Sequence, residues 1–208
     1  VQEYDETGTL RKFTEYNTDT GKVVCVQEYD ETGTLRKFTE YNTDTGKVVC
    51  VQEYDETGTL RKFTEYNTDT GKVVCVQEYD ENGTLRKYTR YDRETGEILS
   101  VSEFDEQGRE IGFKEFNNGT LSFHCTAVYD ESGAEIRTYY DTVTGSVSNI
   151  EKREYDRTNK TCTITQYDVQ TGKKYCVAVY DMSDQNNWTL KKEITYDENG
   201  NITSEKEY

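Results

Sequence analysis

Five cysteines stand at positions 25, 50, 75, 125 and 176, each four residues before the tyrosine of a Tyr-Asp step, and a sixth, Cys162, lies outside that pattern. Thiols at fixed spacing could serve disulfides, zinc or nucleophilic catalysis. Zinc sites are usually built on a Cys-x-x-Cys step. The chain has none, and its single histidine, His124, has only Cys125 beside it. One histidine, no Ser/His/Asp spacing and no glycine-rich phosphate loop leave nothing to activate a nucleophile. No catalytic, cofactor-binding or metal residue is therefore assigned, no cofactor is expected, and the chain reads as a non-enzyme.

The remaining chemistry is oxygen-based. Asn17-Thr18-Asp19-Thr20-Gly21 places oxygen ligands at alternate positions, a fragment of a calcium-loop pattern. It lacks the third acidic position and the distal bidentate Glu, and turn geometry alone accounts for its Asn, Asp and Gly. Tyrosines at the strand ends could stack on a glycan or a protein; the plainer account is that they cover Leu10 and Val23 beside them. Five Asn-x-Ser/Thr sequons, at Asn82, Asn118, Asn159, Asn187 and Asn201, matter only in a secretory eukaryotic setting.

The elements that position these groups come from a beat. An aromatic residue followed by Asp or Asn recurs at 4, 16, 29, 41, 54, 66, 79, 91, 104, 116 and 129, at alternating intervals of 12 and 13, and then more loosely at 140, 155, 167, 180 and 196. Residues 1–25 recur unchanged at 26–50 and 51–75; residues 76–100 are an edited fourth copy and 101–125 a recognisable fifth. Such repetition fixes the fold type before any other feature.

Each unit holds two Thr/Val/Tyr/Phe-rich strands, residues 9–16 and 23–29. The first turn, Asp5-Glu6-Thr7-Gly8, has the chemistry of a type I turn closed by a glycine bulge. The second, Asn17 to Gly21, is one residue longer, which explains the 12/13 alternation. Strands joined by turns this short must be antiparallel neighbours, giving a meander of about seventeen strands. A Gly turn every dozen residues excludes helices.

Counting outward from the turns pairs Tyr4 with Leu10, Glu3 with Arg11 and Val1 with Phe13. Across the longer turn it pairs Tyr16 with Val23, Glu15 with Val24, Thr14 with Cys25, Phe13 with Val26, Arg11 with Glu28 and Leu10 with Tyr29. One face would then carry a central Phe/Val row and an Arg/Glu row. The cysteines would occupy one row on every second strand, about 9–10 Å apart and too far for a disulfide within the sheet, packed as small apolar thiols, with disulfides between separate ribbons as the sharper alternative. The expected fold class is all-β: an elongated antiparallel β-meander of tandem hairpin repeats with a 25-residue double unit, largely a single-layer twisted sheet. Eight-residue strands span roughly 27 Å, and seventeen of them stack to roughly 80 Å. Residues 1–100 form four near-identical repeats and 101–208 a degenerate continuation, one continuous array without a linker. Residues 182–189, with the only Met (Met182) and the only Trp (Trp188), form the longest turn.

Composition bounds the function. Hydrophobic residues make up 32% of the 208 and mean hydropathy is -1.00, so the core is expected to be thin. A net charge of -16 argues against nucleic acid and anionic membranes, which need Lys/Arg clusters. No apolar run is long enough for a transmembrane helix and no signal peptide is visible. Opening mid-repeat at Val1, without Met, the sequence reads as a segment of something longer. Proline is absent, in keeping with paired strands.

The stretches YDETGTL, YDENGTLRKYTRYD and TYDENGNITSEKEY resemble the YD repeats of the RHS family, whose units read Tyr-Asp, two variable residues, Gly, then a strand. The resemblance covers nearly the whole chain and implies a β-meander. RHS repeats build large hollow shells around toxins, or surface proteins in animal teneurins. This chain departs in its 12/13 period, its lack of Pro and its length, which is too short to close a shell. It also looks like other bacterial hairpin-repeat modules of surface proteins, without the repeated Trp of choline- and glucan-binding repeats. The expectation is a non-enzymatic structural repeat segment (a stalk, spacer or adhesive array) of a larger secreted or cell-surface protein. Two alternatives stay open: a module binding a protein or glycan on its Tyr-rimmed face or self-associating through a sheet edge, and an engineered repeat scaffold. No membrane insertion and no nucleic-acid partner are expected.

Overall fold

A computed structural model of the chain describes residues 1–184 and 186–208. It is all-β. Its strands are β1 (Gln2–Tyr4), β2 (Leu10–Tyr16), β3 (Val23–Tyr29), β4 (Leu35–Tyr41), β5 (Val48–Tyr54), β6 (Leu60–Tyr66), β7 (Val73–Tyr79), β8 (Leu85–Tyr91), β9 (Ile98–Phe104), β10 (Glu110–Asn117), β11 (Thr120–Tyr129), β12 (Glu135–Tyr140), β13 (Val147–Asp156), β14 (Thr161–Tyr167), β15 (Lys174–Asp181), β16 (Thr189–Tyr196) and β17 (Ile202–Glu207). Among the described residues there is no helix. The expected turn at 182–189 includes Gln185, which lies outside the described residues.

Two compact units divide the chain. The first comprises Val1–Glu110 and Glu115–Thr120, the second Ile111–Lys114 and Leu121–Tyr208. In the first, β1 to β9 pair in sequence order, all antiparallel. In the second, β11 to β17 do the same.

The turns form as their residues dictate. In the short turn the Gly8 N–H donates to the Asp5 carbonyl at 3.1 Å, and Gly8 sits at φ +83°, a left-handed conformation that costs a side-chain-bearing residue about 1–2 kcal/mol. The Asp5 carboxylate accepts the amides of Thr7 and Thr9, both at 2.9 Å. In the long turn the side-chain oxygen of Asn17 accepts the amides of Asp19 and Thr20 at 3.0 and 2.9 Å.

Beyond the first pair the register differs from the count made outward from the turns. Tyr4 does face Leu10, and Tyr16 does face Val23. A β-bulge then intervenes in both hairpins, between Glu3 and Tyr4 and between Glu15 and Tyr16. Glu3 consequently faces Lys12 and not Arg11, and Gln2, not Val1, faces Phe13. Cys25 faces Glu15 rather than Thr14, which leaves Val24 the extra residue; Val26 faces Thr14, Gln27 faces Phe13, and Glu28 faces Lys12, not Arg11. Tyr29 pairs with Leu35 on the next strand, and the expected Leu10–Tyr29 pair does not form. A bulge places two residues opposite one and re-aims the side chains beyond it. A one-residue slip exchanges the faces, so the Phe/Val row separates into a Phe/Gln row and a Thr/Val row on opposite faces. The Arg/Glu row is replaced by alternating Lys and Glu, with Lys62–Glu53 at 3.9 Å and Lys87–Glu78 at 3.7 Å.

The core is a set of small side chains. In the first unit the buried positions are Thr14, Thr39, Thr64 and Thr89 in one row and Cys25, Cys50 and Cys75 in the adjacent one, with Ser100 and Ser102. Adjacent rows point to opposite faces, so each face buries its own line of small residues between longer neighbours. Contacts between elements run between consecutive strands. In the second unit Ala127, Ala134 and Ala178 join Cys125, Cys162 and Cys176, and Phe123 packs on Phe113 and Tyr139, ring centroids 5.9 Å apart in each case.

Candidate functional site

The thiols occupy the expected row. Cys25 and Cys50 flank Glu40 on the strand between them, and Cys50 and Cys75 flank Glu65 in the same way. All six cysteines are buried thiols. The neighbours that the bulge selects decide their chemistry. Cys50 Sγ donates to Glu40 Oε2 at 3.5 Å and has Glu65 on its other side. Burial and then that carboxylate push the Cys50 thiol up to about 11. Cys162, wholly buried between Tyr155 and Tyr180, is pushed up to about 11 chiefly by burial. Since the thiolate is the nucleophile and metal ligand, these groups are held in their inert form at neutral pH. A disulfide-exchange reagent at pH 8 is expected to find no rapidly reacting thiol in the native protein and six after denaturation. Rapid reaction of two or more native thiols would contradict this.

His124 and Cys125 do not converge. His124 stacks on Tyr140 with centroids 4.5 Å apart, whereas Cys125 is buried and has Arg137 Nη1 3.8 Å from its sulfur. Neighbours on a strand point to opposite faces. Among the described residues no three His, Cys, Asp or Glu side chains are grouped to hold a metal. The Asn17 oxygen of the calcium-like loop is committed to its own turn. The rim tyrosines pair with Leu and Val across the strands, as Tyr29 with Leu35 and Tyr41 with Val48, and the hydroxyls of Tyr29, Tyr54 and Tyr79 donate to the Gln two residues earlier on the same strand.

Two arrangements were not legible in the sequence. Along the long-turn rim, Nζ of Lys22, Lys47 and Lys72 reaches the backbone carbonyls of Asp44, Asp69 and Glu94, tying each turn to its counterpart in the following repeat. Along the short-turn rim the bulge residue is an arginine, and it turns back to the aspartate of its own hairpin, as in Arg36–Asp30 at 3.4 Å and Arg61–Asp55 at 3.5 Å.

In the second unit, facing strands β12 and β13 carry a checkerboard of charge. Glu135 lies opposite Arg153 and Arg137 opposite Glu151. Glu135 is 3% exposed and Glu151 5%. Arg137 Nε donates to Glu135 at 2.7 Å and Arg153 Nε to Glu151 at 2.6 Å. The Tyr139 hydroxyl donates to Glu151 at 2.5 Å and accepts from Arg153 Nη2 at 2.7 Å, and the Tyr155 hydroxyl donates to Glu135 at 3.2 Å. Burial, then the bond to Glu151, raises the Tyr139 hydroxyl above its usual range. Burial opposes the charge on Arg153, but Glu151 and Tyr139 outweigh it, so the guanidinium pKa rises. Each of these donors has its acceptor within the array, which therefore serves to cross-link strands. Trp188 joins its edge, 6.3 Å from Tyr155 and 6.5 Å from Tyr180 between centroids.

Comparison with known proteins gives a partial family match and no function. The model of a family described as a protein of unknown function (DUF2963) matches residues 20–65 and 41–90, within the regular repeats. No curated protein matches the chain. Among solved structures, a chain in a crystal structure of TcdB2-TccC3 is 9% identical with a TM-score of 0.36, and one in TcdB2-TccC3-Cdc42 is 11% identical with a TM-score of 0.33. Both alignments cover 99% of this chain, which spans 15% of each of those chains. Likeness at that level carries no argument about function.

Proposed function

We propose that the chain is a non-enzymatic structural repeat segment, a stalk, spacer or adhesive array within a larger secreted or surface protein. The observation that carries this reading is the repeat-to-repeat fastening. Identical strand pairs and the identical lysine-to-turn bonds of Lys22 and Lys47 join each unit to the next. Turn carboxylates are spent on their own turns, rim hydroxyls on their own strands and thiols on the facing glutamates, which leaves little with which to catalyse a reaction. The likeness of YDETGTL to YD repeats, some of which build surface proteins, supports the setting. In such arrays stability is a sum of units and their interfaces.

Deleting residues 26–50 tests the reading, because the new junction of Cys25 with Val51 repeats the existing junction of Cys25 with Val26. The shortened chain is expected to keep its β-type circular dichroism and a cooperative thermal transition. Loss of folded structure would mean that the repeats do not act as independent increments, and the spacer reading would fall.

A further inference from the structure

We propose that the fourth repeat carries a binding cleft for a carboxylate-bearing saccharide, with Arg90 and Arg93 taking the carboxylate and Tyr88, on the same strand face as Arg90, packing against the sugar ring. The cleft has a volume of about 680 Å³, within the roughly 300–1,000 Å³ usual for small-ligand sites. It is lined by Glu65 and Val74 of the third repeat and by Tyr88, Arg90, Tyr91, Asp92, Arg93, Glu94 and Leu99 of the fourth.

The edits to the fourth repeat converge on this place. The repeat contributes seven lining residues, and six of them differ from the residues that the three identical copies hold in common. Of its other eighteen positions only four differ: Asn82, Glu97, Ile98 and Ser100. The changes also have a direction. Arg90 stands where the earlier copies have Glu15, Glu40 and Glu65, and Arg93 where they have Thr18, Thr43 and Thr68. Together with Asp92 in place of Asn, the cleft is two charges more positive than its counterparts, in a chain whose net charge is -16.

These two guanidinium groups are also uncommitted. The arginines of the short-turn rim are held by their turn aspartates. Arg90 and Arg93 are exposed, and among the described residues neither guanidinium has an ion-pair or hydrogen-bond partner. Arg90 lies between Cys75 and Ser100 on the flanking strands, neither of them an ionised partner. Tyr88 replaces phenylalanine, adding a hydroxyl that engages the Cys75 thiol on the neighbouring strand.

The mixed lining selects the ligand class. Arginine forks match a carboxylate with two parallel hydrogen bonds. Glu65, Asp92 and Glu94 line the same cleft. They repel a doubly charged phosphate or a polyanion more than a single carboxylate, and they can accept hydrogen bonds from sugar hydroxyls. Half-buried Tyr88, with Val74 and Leu99, supplies the apolar wall that a sugar ring needs.

The control variant is already written in the chain. Arg90→Glu with Arg93→Thr restores residues that the neighbouring repeats fold with three times over. Isothermal titration of the whole chain with a galacturonic acid disaccharide is expected to show binding that the double variant weakens about tenfold or more. The neutral galactose disaccharide is expected to bind about tenfold more weakly than the uronate. The proposal is overturned if the variant binds the uronate as well as the parent chain does, or if the parent shows no binding at about 10 mM sugar. An Asp-rich peptide binding where the uronate does not would overturn the ligand class.

Discussion

Replacing Arg153 by methionine is expected to destabilise the second unit by about 3–5 kcal/mol, the usual cost of removing one partner from a buried ion pair. The reason lies in what is left behind. Glu151 is 5% exposed, and its Oε1 accepts from Arg153 Nε at 2.6 Å and from the Tyr139 hydroxyl at 2.5 Å. Without the guanidinium the carboxylate stays buried, and Tyr139 loses the donor at 2.7 Å that fixes its hydroxyl. Removing both charges, Glu151→Leu with Arg153→Met, leaves no stranded charge and is expected to cost far less than the single change, or to stabilise. Urea titration followed by circular dichroism reads both, with the slope unchanged if only stability has moved. A single variant within about 1 kcal/mol of the parent would show that the checkerboard is not under strain from burial.

Acid is expected to unfold the protein between about pH 4 and pH 2, while stability stays flat from about pH 6 to 8. Among the described residues eleven aspartates, all at turns, have carboxyl pKa values below their ordinary 3.8. Asp30 is taken down to about 2, first by the Thr32 hydroxyl and then, against the opposing effect of burial, by the amides of Thr34 and Thr32 and by Arg36. A depressed native pKa means that the unfolded chain binds protons first as the pH falls. The stabilisation is therefore complete above the unfolded value and disappears as the pH drops through the native one. For Asp30 that window runs from 3.8 to about 2. Because the same turn recurs along the chain, the losses should add. Asparagine can accept the same amide bonds without titrating, as Asn17 does in the long turn. Asp5→Asn, Asp30→Asn and Asp55→Asn together are thus expected to shift acid unfolding to lower pH. A transition centred above pH 5, or an acid profile indifferent to the triple change, would assign acid unfolding to other groups.

The sequence by itself determined the strands, the turns and the order in which neighbours pair. Those features are local. Gly8 is needed at positive φ, Asp5 closes its own turn, and Tyr4 and Tyr16 meet Leu10 and Val23 because only the turn length intervenes. The row of thiols on alternate strands was legible for the same reason, being a consequence of a 25-residue period. The pairing beyond the bulge was not. Nothing in Leu10-Arg11-Lys12 announces that Arg11 is the residue set outside the ladder, since a bulge is settled by the twist and packing of two strands together. The shift at Val24 decided that Cys25 would face Glu15 and that Phe13 and Val26 would stand on opposite faces, and the shift at Arg11 let arginine return to its turn. The Glu135–Arg137–Glu151–Arg153 array needed the register of β12 on β13, and the cleft at Arg90 and Arg93 needed two strands and a turn from one repeat set against two strands of another. Local chemistry wrote the repeat; the faces it presents were decided only when neighbouring strands came together.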